Sequence, residues 1–150
     1  MTILYELFTD GATKNNQKVK KVAGSSSIGA ILKTNSTMVG TISEIVQEGT
    51  NNETEYRSLI RGLNLLDIIQ LEPGTFELKI YMDSLLVVNQ VNGVYKINKE
   101  NFREFVSDIR DKLKNHKWSL SHVKREYNTE ADALANEAYY RFKNGKCPKK

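Results

Sequence analysis

The order of apolar segments predicts an α/β domain in which helices flank a five-stranded mixed sheet. Three observations predict this class. Near the N-terminus, three short apolar segments follow one another without a helical pattern between them, which is typical of an antiparallel meander. After residue 50, helical and strand patterns alternate, as they do where crossover helices join parallel strands. The 150-residue chain is long enough for one domain with its own core.

The first third of the chain contains the three predicted meander strands, at residues 3–9, 24–32 and 38–46. The first strand is an apolar run that ends at Asp10-Gly11, a dipeptide typical of tight turns. A polar loop at 12–23 follows it and carries four lysines. A loop of this length inside a compact domain is usually either functional or disordered.

The remaining elements alternate between helix and strand. A long helix is indicated by Tyr56, Leu59, Leu63 and Leu66, which recur at helical spacing before the turn at Pro73. In chain order, the predicted elements after residue 50 are a helix at 52–70, a strand at 77–82, a short helix at 85–91, a helix capped by Asn98, a strand at 118–123 and a helix at 129–143. The domain is therefore expected to span residues 1–143, and a basic tail at 144–150 is expected to be disordered.

The composition favours a folded protein of the cytoplasm. Hydrophobic residues make up 39% and charged residues 27% of the chain, which excludes an extensively disordered sequence. No apolar run reaches the length of a membrane span, so no membrane partner is expected. The single cysteine, Cys147, has no partner for an internal disulfide, which fits a reducing compartment. We expect a cytoplasmic monomer.

The charge distribution indicates a polyanionic partner. The formal net charge is +4, and the stretch from Gly11 to Lys33 contains five lysines and no acidic residue. The segment from Arg141 to Lys150 is also basic and free of acidic residues. Basic stretches of this kind suit a nucleic acid lying across one side of the domain, although each stretch alone is also typical of a solvated surface.

Four acidic residues lie at the ends of predicted elements. Asp10 and Asp83 each end a strand, whereas Glu55 and Asp132 each lie in the first turn of a helix. Every one of them also has a structural interpretation. Asp10 fits a turn and Asp83 fits a helix N-cap. Glu55 and Asp132 each follow a cap residue at the three-residue spacing of a capping box.

The four positions taken together favour a metal site. If the first and fourth strands are neighbours, Asp10 and Asp83 lie close together at their carboxyl ends, where open sheets hold ligands. Two like charges about 4 Å apart repel by about 4 kcal/mol at an effective dielectric constant of about 20. Divalent cations reverse this repulsion, and oxygen ligands select Mg²⁺ or Mn²⁺. His116, His122 and Cys147 are too few and too scattered for a zinc site.

The sequence resembles type 1 ribonuclease H over essentially its whole length. Four blocks occur in the order and spacing of that family: FTDG at residues 8–11, TNNETEY at 50–56, IYMDSLLV at 80–87 and HVKREYNTEADALA at 122–135. One Asp-Gly or Asp-Ser pair would mean little. Four blocks in order are a specific signal.

The resemblance implies the ribonuclease H fold and its activity. The expected enzyme is an endonuclease that hydrolyses the RNA strand of RNA–DNA hybrids, using two Mg²⁺ ions, with Mn²⁺ as a substitute, and leaving 5′-phosphate and 3′-hydroxyl ends. The residues that match the family's catalytic and metal-binding set are Asp10, Glu55, Asp83 and Asp132. The residues expected to contact the hybrid are Gly11, Asn16, Thr50, Asn51, Asn52 and Ser84.

The sequence departs from the family pattern in two places. Many members have a histidine in the loop before the last helix, where this chain has only the short segment 124–128, without histidine. We expect Arg125 to take its place as a permanently charged donor to the scissile phosphate. Members with a basic protrusion carry an extra lysine-rich helix after the fourth strand, which this chain lacks. The contacts that the protrusion makes with the DNA strand are expected to come instead from the lysines after Asp10 or near the C-terminus.

Two other functions remain open on the same fold. A noncatalytic nucleic-acid-binding module would keep the basic surface, but it would have no reason to hold four carboxylates against phosphates. A DNA nuclease or strand-transfer enzyme would use the same carboxylates, but it is disfavoured by the Thr50-Asn51-Asn52 triplet.

Overall fold

A computed structural model describes residues 2–14 and 25–145. Its elements are β1 (Ile3–Thr13), β2 (Ser26–Thr34), β3 (Thr37–Ile45), α1 (Asn51–Ile68), β4 (Phe76–Met82), α2 (Leu85–Val91), α3 (Glu100–Leu113), β5 (Lys117–His122) and α4 (Thr129–Lys143). A single turn of 3-10 helix precedes α4. Within the described residues, no helix is both long and apolar enough to cross a membrane.

The five strands form one mixed sheet in the order β3-β2-β1-β4-β5, which confirms the predicted fold class. The first three strands are the antiparallel meander. β1 also pairs in parallel with β4, and β4 pairs in parallel with β5. β1 is therefore the central strand, with one antiparallel and one parallel neighbour.

The first strand does not end at Asp10, so this prediction was wrong. Only the parallel pairing with β4 stops there, at the pair Thr9 and Met82. The antiparallel pairing with β2 continues through Asp10 and Gly29 to the end of β1 at Thr13. Because an extended β-ladder supplies hydrogen bonds to this backbone, the Asp-Gly pair is strand and not turn.

The helices cover opposite faces of the sheet. Successive strand residues point to opposite faces. Ala30 of β2 faces α1, because a Cβ on Gly62 of α1 would lie 3.3 Å from its side chain. Gly29, the preceding residue, faces α4, and a Cβ there would lie 2.2 Å from the carbonyl oxygen of Ala131. The larger core lies on the α1 side.

That core contains side chains from the sheet and from α1, α2 and α3. α3 packs against α1, and α2 lies against α3 and β5. The largest fully buried side chains include Tyr56 and Leu59 of α1, Ile80 of β4 and Ile109 of α3. Tyr56 is held between strand and helices by its hydroxyl, which donates to Gln90 Oε1 of α2. This packing fixes the start of α1 relative to the sheet.

A methyl group at Gly29 tests the close packing of α4 on β2. We expect Gly29→Ala to lower the free energy of unfolding by roughly 2–3 kcal/mol, because the new Cβ overlaps the backbone of α4 and neither side can yield cheaply. Urea denaturation followed by circular dichroism measures this change.

Gly40→Ala is the matched control. Its Cβ would lie 3.1 Å from Cδ2 of Leu65 on α1, which is a side-chain atom and not backbone. A change within about 1 kcal/mol is expected there. Equal stabilities for the two variants would contradict a tight contact between α4 and β2.

Candidate metal and nucleic-acid site

Three carboxylates from three elements meet beside the central strand. Asp10 belongs to β1 and is only 6% exposed. Asp83 directly follows β4, whose last residue pairs with Thr9, so the strand register places it next to Asp10. Glu55 comes from the first turns of α1. One carboxylate oxygen from each residue lies within 4.8 Å of the other two. This group suits a hard divalent cation.

Glu55 is free to face the sheet because another residue caps its helix. The N-cap of α1 is Thr50, and its capping-box partner is Glu53. The structural interpretation of Glu55 as the partner of a capping box with Asn52, three residues earlier, is therefore wrong. The Glu55 carboxylate instead accepts a hydrogen bond from the Gly11 amide, with a donor–acceptor distance of 3.0 Å.

The absence of a side chain at Gly11 allows this contact. A Cβ on Gly11 would lie 2.5 Å from the carbonyl oxygen of Thr54. The backbone of α1 therefore touches the backbone of β1 directly, one residue beyond Asp10. Gly11 serves the site by admitting the helix that carries Glu55.

Asn128 links β1 to Asp83 through hydrogen bonds. The sequence analysis assigned it no role in the site. Its side chain is buried, with 2% exposed. The Asn128 Nδ2 atom donates to the Thr9 carbonyl oxygen at 2.9 Å and to Asp83 Oδ2 at 3.4 Å. The signal available in the sequence was a polar residue just before a helix, and this pattern predicts a helix cap and not a site residue. Asn128 is the N-cap residue, yet its side chain makes no capping hydrogen bond.

Asp132 joins the group through Asp10. It lies in the first turn of α4, and its side chain is within hydrogen-bonding reach of Asp10. It does not belong to the set of three whose oxygens lie within 4.8 Å of one another. The alternative interpretation of Asp132, a capping box with Thr129, is wrong, because the N-cap of α4 is Asn128.

Burial and mutual repulsion raise the pKa values of this cluster. The pKa of Asp10 rises from 3.8 to about 9, mainly through burial and then through the charges of Glu55 and Asp83. Burial and the charge of Asp83 raise the pKa of Glu55 to about 8, although the Gly11 amide and Arg125 act in the opposite direction. A bound cation would favour the ionised carboxylates and remove this penalty.

The acidic group opens into a cleft of about 290 Å³ that also carries positive charge. Two cationic side chains line it: Lys14, just after β1, and Arg125, in the turn before α4. The complete lining is Asp10, Gly11, Ala12, Thr13, Lys14, Asn51, Glu55, Arg125 and Asp132. An acidic centre with cations beside it suits a phosphate bound through metal ions.

The structure brings together some of the residues expected to contact nucleic acid and not others. Gly11 and Asn51 line the cleft, as does Arg125. Thr50 and Ser84 do not line it, and both act as helix N-caps through their side chains. Asn52 is exposed on the first turn of α1 and is also outside the lining. Asn16 and residues 146–150 of the predicted tail lie outside the described residues.

The fold and the site together define an α/β domain whose central strand carries an acidic site for divalent cations. Comparison with known proteins identifies the family. Residues 9–138 match the family model described as "Reverse transcriptase-like". Ribonuclease H of Clostridium botulinum is 30% identical over 156 residues, covering 91% of this chain and 95% of the relative. The chain belongs to the type 1 ribonuclease H family, which confirms the resemblance.

Two further similarities define how far the comparison extends. The "Bifunctional protein Rv2228c" of Mycobacterium tuberculosis is 32% identical over 136 residues, covering 86% of this chain. The match covers 34% of that protein, so the chain spans about a third of its length. The crystal structure of LC11-RNase H1 in complex with an RNA/DNA hybrid aligns with a TM-score of 0.82 and 28% identity, covering 92% of this chain and 98% of the other.

The stability of the metal-free protein is expected to fall as the pH rises from about 4 to about 9. The folded state holds the Asp10 proton up to about pH 9, whereas the unfolded chain releases it near pH 4. Asp10→Asn should therefore raise the melting temperature at pH 8 by about 2–8 °C, equivalent to ~1–2 kcal/mol. The same change should flatten the pH dependence between pH 5 and pH 8.

Calorimetry in the presence of a chelator measures both effects. Asp111→Asn is the control, because Asp111 is exposed on α3 and away from the cluster. A lower melting temperature for Asp10→Asn at pH 8 would show instead that the buried carboxylate stabilises the metal-free fold.

Proposed function

We propose that this chain is an endoribonuclease that hydrolyses the RNA strand of RNA–DNA hybrids with Mg²⁺ as cofactor, leaving 5′-phosphate and 3′-hydroxyl ends. The observation that carries the proposal is the meeting of Asp10, Glu55 and Asp83 within 4.8 Å. Family membership and the likeness to a ribonuclease H1 that binds a hybrid support the choice of substrate. The basic residues of the cleft support a polyanionic substrate.

The residues of the cluster have the chemistry that Mg²⁺ requires. All of the ligands are carboxylate oxygens, and burial together with the mutual repulsion of the carboxylates raises the pKa values of Asp10 and Glu55, a penalty that a bound cation would relieve. Asp10, Glu55 and Asp83 would hold one ion, and Asp132 would complete the site of a second. Two bound ions supply an activated water and stabilise the leaving oxygen in phosphodiester hydrolysis.

The other residues of the cleft orient the RNA strand. Arg125 has no anionic partner among the described residues within ion-pairing distance, so its guanidinium is available to the scissile phosphate. Asn51, exposed at the start of α1, presents an amide that can both donate to and accept from a 2′-hydroxyl. Glu55 lines the same cleft as Asn51 and, besides its metal-binding role, would contact the neighbouring 2′-hydroxyl. These contacts distinguish RNA from DNA.

The other residues expected to contact the hybrid, apart from Gly11 and Asn16, do not line the cleft. Thr50 and Asn52 flank Asn51 at the start of α1, and Ser84 follows Asp83 at the start of α2. Their positions support contacts with neighbouring nucleotides or with the uncleaved strand. Asn16 remains a predicted contact on the basis of the sequence alone.

Removing one metal-binding carboxylate should abolish cleavage while leaving the fold intact. We expect Asp10→Asn and Asp83→Asn each to lower kcat at least about 10³-fold in Mg²⁺, because the amide cannot supply the charge that holds the ion. A hybrid labelled at one RNA end, resolved on a denaturing gel, measures the rate and identifies the product ends. Asp111→Asn should cleave at the wild-type rate.

The same assay separates the alternatives. Full activity in Asp10→Asn would refute the metal-binding role. Binding of the hybrid without cleavage by the wild-type protein would indicate a noncatalytic module. Cleavage of a matched DNA duplex in preference to the hybrid would indicate a DNA nuclease on the same fold.

Metal binding should depend on pH in the direction set by the raised pKa values. Protons compete with Mg²⁺ for Asp10 and Glu55 below about pH 8, so the Mg²⁺-induced rise in melting temperature should be larger at pH 8 than at pH 6. Differential scanning fluorimetry across a Mg²⁺ titration measures the rise in melting temperature at each pH. Asp132→Asn should retain most of this rise, because Asp132 lies outside the triad, whereas Asp83→Asn should lose it. A rise that is equal at both pH values would contradict the assignment.

A further inference from the structure

Lys14 is a cation whose position the structure fixes but that the proposed chemistry does not use. It follows the last residue of β1 and lines the cleft that contains the carboxylates. Its backbone amide donates to the Ser25 carbonyl oxygen at 2.7 Å. The preceding residue, Thr13, is hydrogen-bonded through its hydroxyl to Thr54 Oγ1 at 2.8 Å. Lys14 is thus held by its own backbone to Ser25, just before β2, and through the Thr13 side chain to α1.

The side chain of Lys14 is directed by an aromatic ring and not by an acid. Its Nζ atom lies 5.7 Å from the centroid of the Tyr139 ring on α4. Tyr139 is 6% exposed, so the ring is part of the packed structure. In the described part of the chain, Lys14 forms no ion pair, even though it shares a cleft with Glu55 and Asp132. A cation–π contact leaves the positive charge available to a further anion.

We infer that Lys14 binds a phosphate of the RNA strand adjacent to the scissile phosphate, and that Tyr139 is a positioning residue for the Lys14 side chain. The inference rests on the proposed function. The RNA strand is favoured over the DNA strand because Lys14 lines the same cleft as carboxylates that would hold the metal ions acting on the cleaved RNA bond. Lys14 and Arg125 line that cleft from different elements, the end of β1 and the turn before α4, and we assign them to different phosphates.

The first test separates binding from chemistry. Lys14→Met should raise KM for the hybrid about 5–10-fold and leave kcat within about twofold. It should also make the dependence of log(kcat/KM) on log[salt] shallower by about 0.7–0.9, the value for one lost phosphate contact. Lys14→Arg should restore KM and the salt dependence. Lys112→Met is the control, since Lys112 pairs with Asp108 on α3 and does not line the cleft.

A second test identifies the strand and the phosphate. Single methylphosphonate linkages, which carry no charge, are placed at successive positions of the RNA strand and of the DNA strand near one cleavage site. At the phosphate that Lys14 binds, the neutral linkage should raise KM for the wild-type protein but not further for Lys14→Met. Additive effects at every RNA linkage would overturn the inference. Non-additivity confined to the DNA strand would also overturn it.

Two variants of Tyr139 test the positioning role. Tyr139→Phe keeps the ring and should leave KM and the salt dependence unchanged. Tyr139→Leu removes the ring and should reproduce the raised KM of Lys14→Met, with no further rise in the double variant. A wild-type KM in Tyr139→Leu, or an equal rise in Tyr139→Phe, would refute the role of the ring. If the wild-type protein cleaves no hybrid, the proposed function fails, and this outcome is distinct from cleavage that is insensitive to Lys14.

Discussion

The site depends on the direct contact of two helices with the central strand pair. A Cβ on Gly11 would overlap the backbone of α1, and a Cβ on Gly29 would overlap the backbone of α4. Gly29 pairs with Asp10 across the sheet, so both helices approach the same short stretch of β1, from opposite faces. Because the two helices start there, Glu55 and Asp132 reach Asp10 from either side. The acidic cluster is therefore a consequence of backbone packing that only glycine permits.

This arrangement places several carboxylates together at a buried position, where water solvates their charge poorly. Asp10 is buried, and its pKa rises because the neighbouring carboxylates add repulsion to the loss of water. The large core between α1 and the sheet supplies the stability that offsets this penalty, and it does not involve the cluster. Asn128 adds a fixed hydrogen-bond donor between Thr9 and Asp83. The carboxylates are thus held in position before any cation binds, and this preorganisation favours a site of defined geometry.

The pattern of apolar residues predicted the fold better than the local motifs predicted their own conformation. The sheet class was correct, and the last helix begins and ends as predicted, at Thr129 and Lys143. The Asp10-Gly11 dipeptide misled because turn propensity is local, whereas pairing with β2 is set by residues some 20 positions away. Capping boxes that include Glu55 and Asp132 do not form, because the N-cap of each helix precedes the residue that the three-residue spacing indicates. The N-caps are Thr50 and Asn128, not Asn52 and Thr129. The contacts of Asn128 and Lys14 arise only when distant elements pack together, and no sequence window contains them.

The charges of the cleft make its two proposed ligands depend on each other. Lys14 and Arg125 attract a phosphate, but Asp10, Glu55 and Asp132 line the same space and repel it. Cations bound to the carboxylates would change the sign of that repulsion, so the proposed hybrid substrate should bind more tightly when the metal site is filled. By linkage, the phosphate must strengthen cation binding by the same factor. Lys14, which lies over the Tyr139 ring and forms no ion pair within the described residues, would add to this coupling, because its charge is not paired with the acidic cluster.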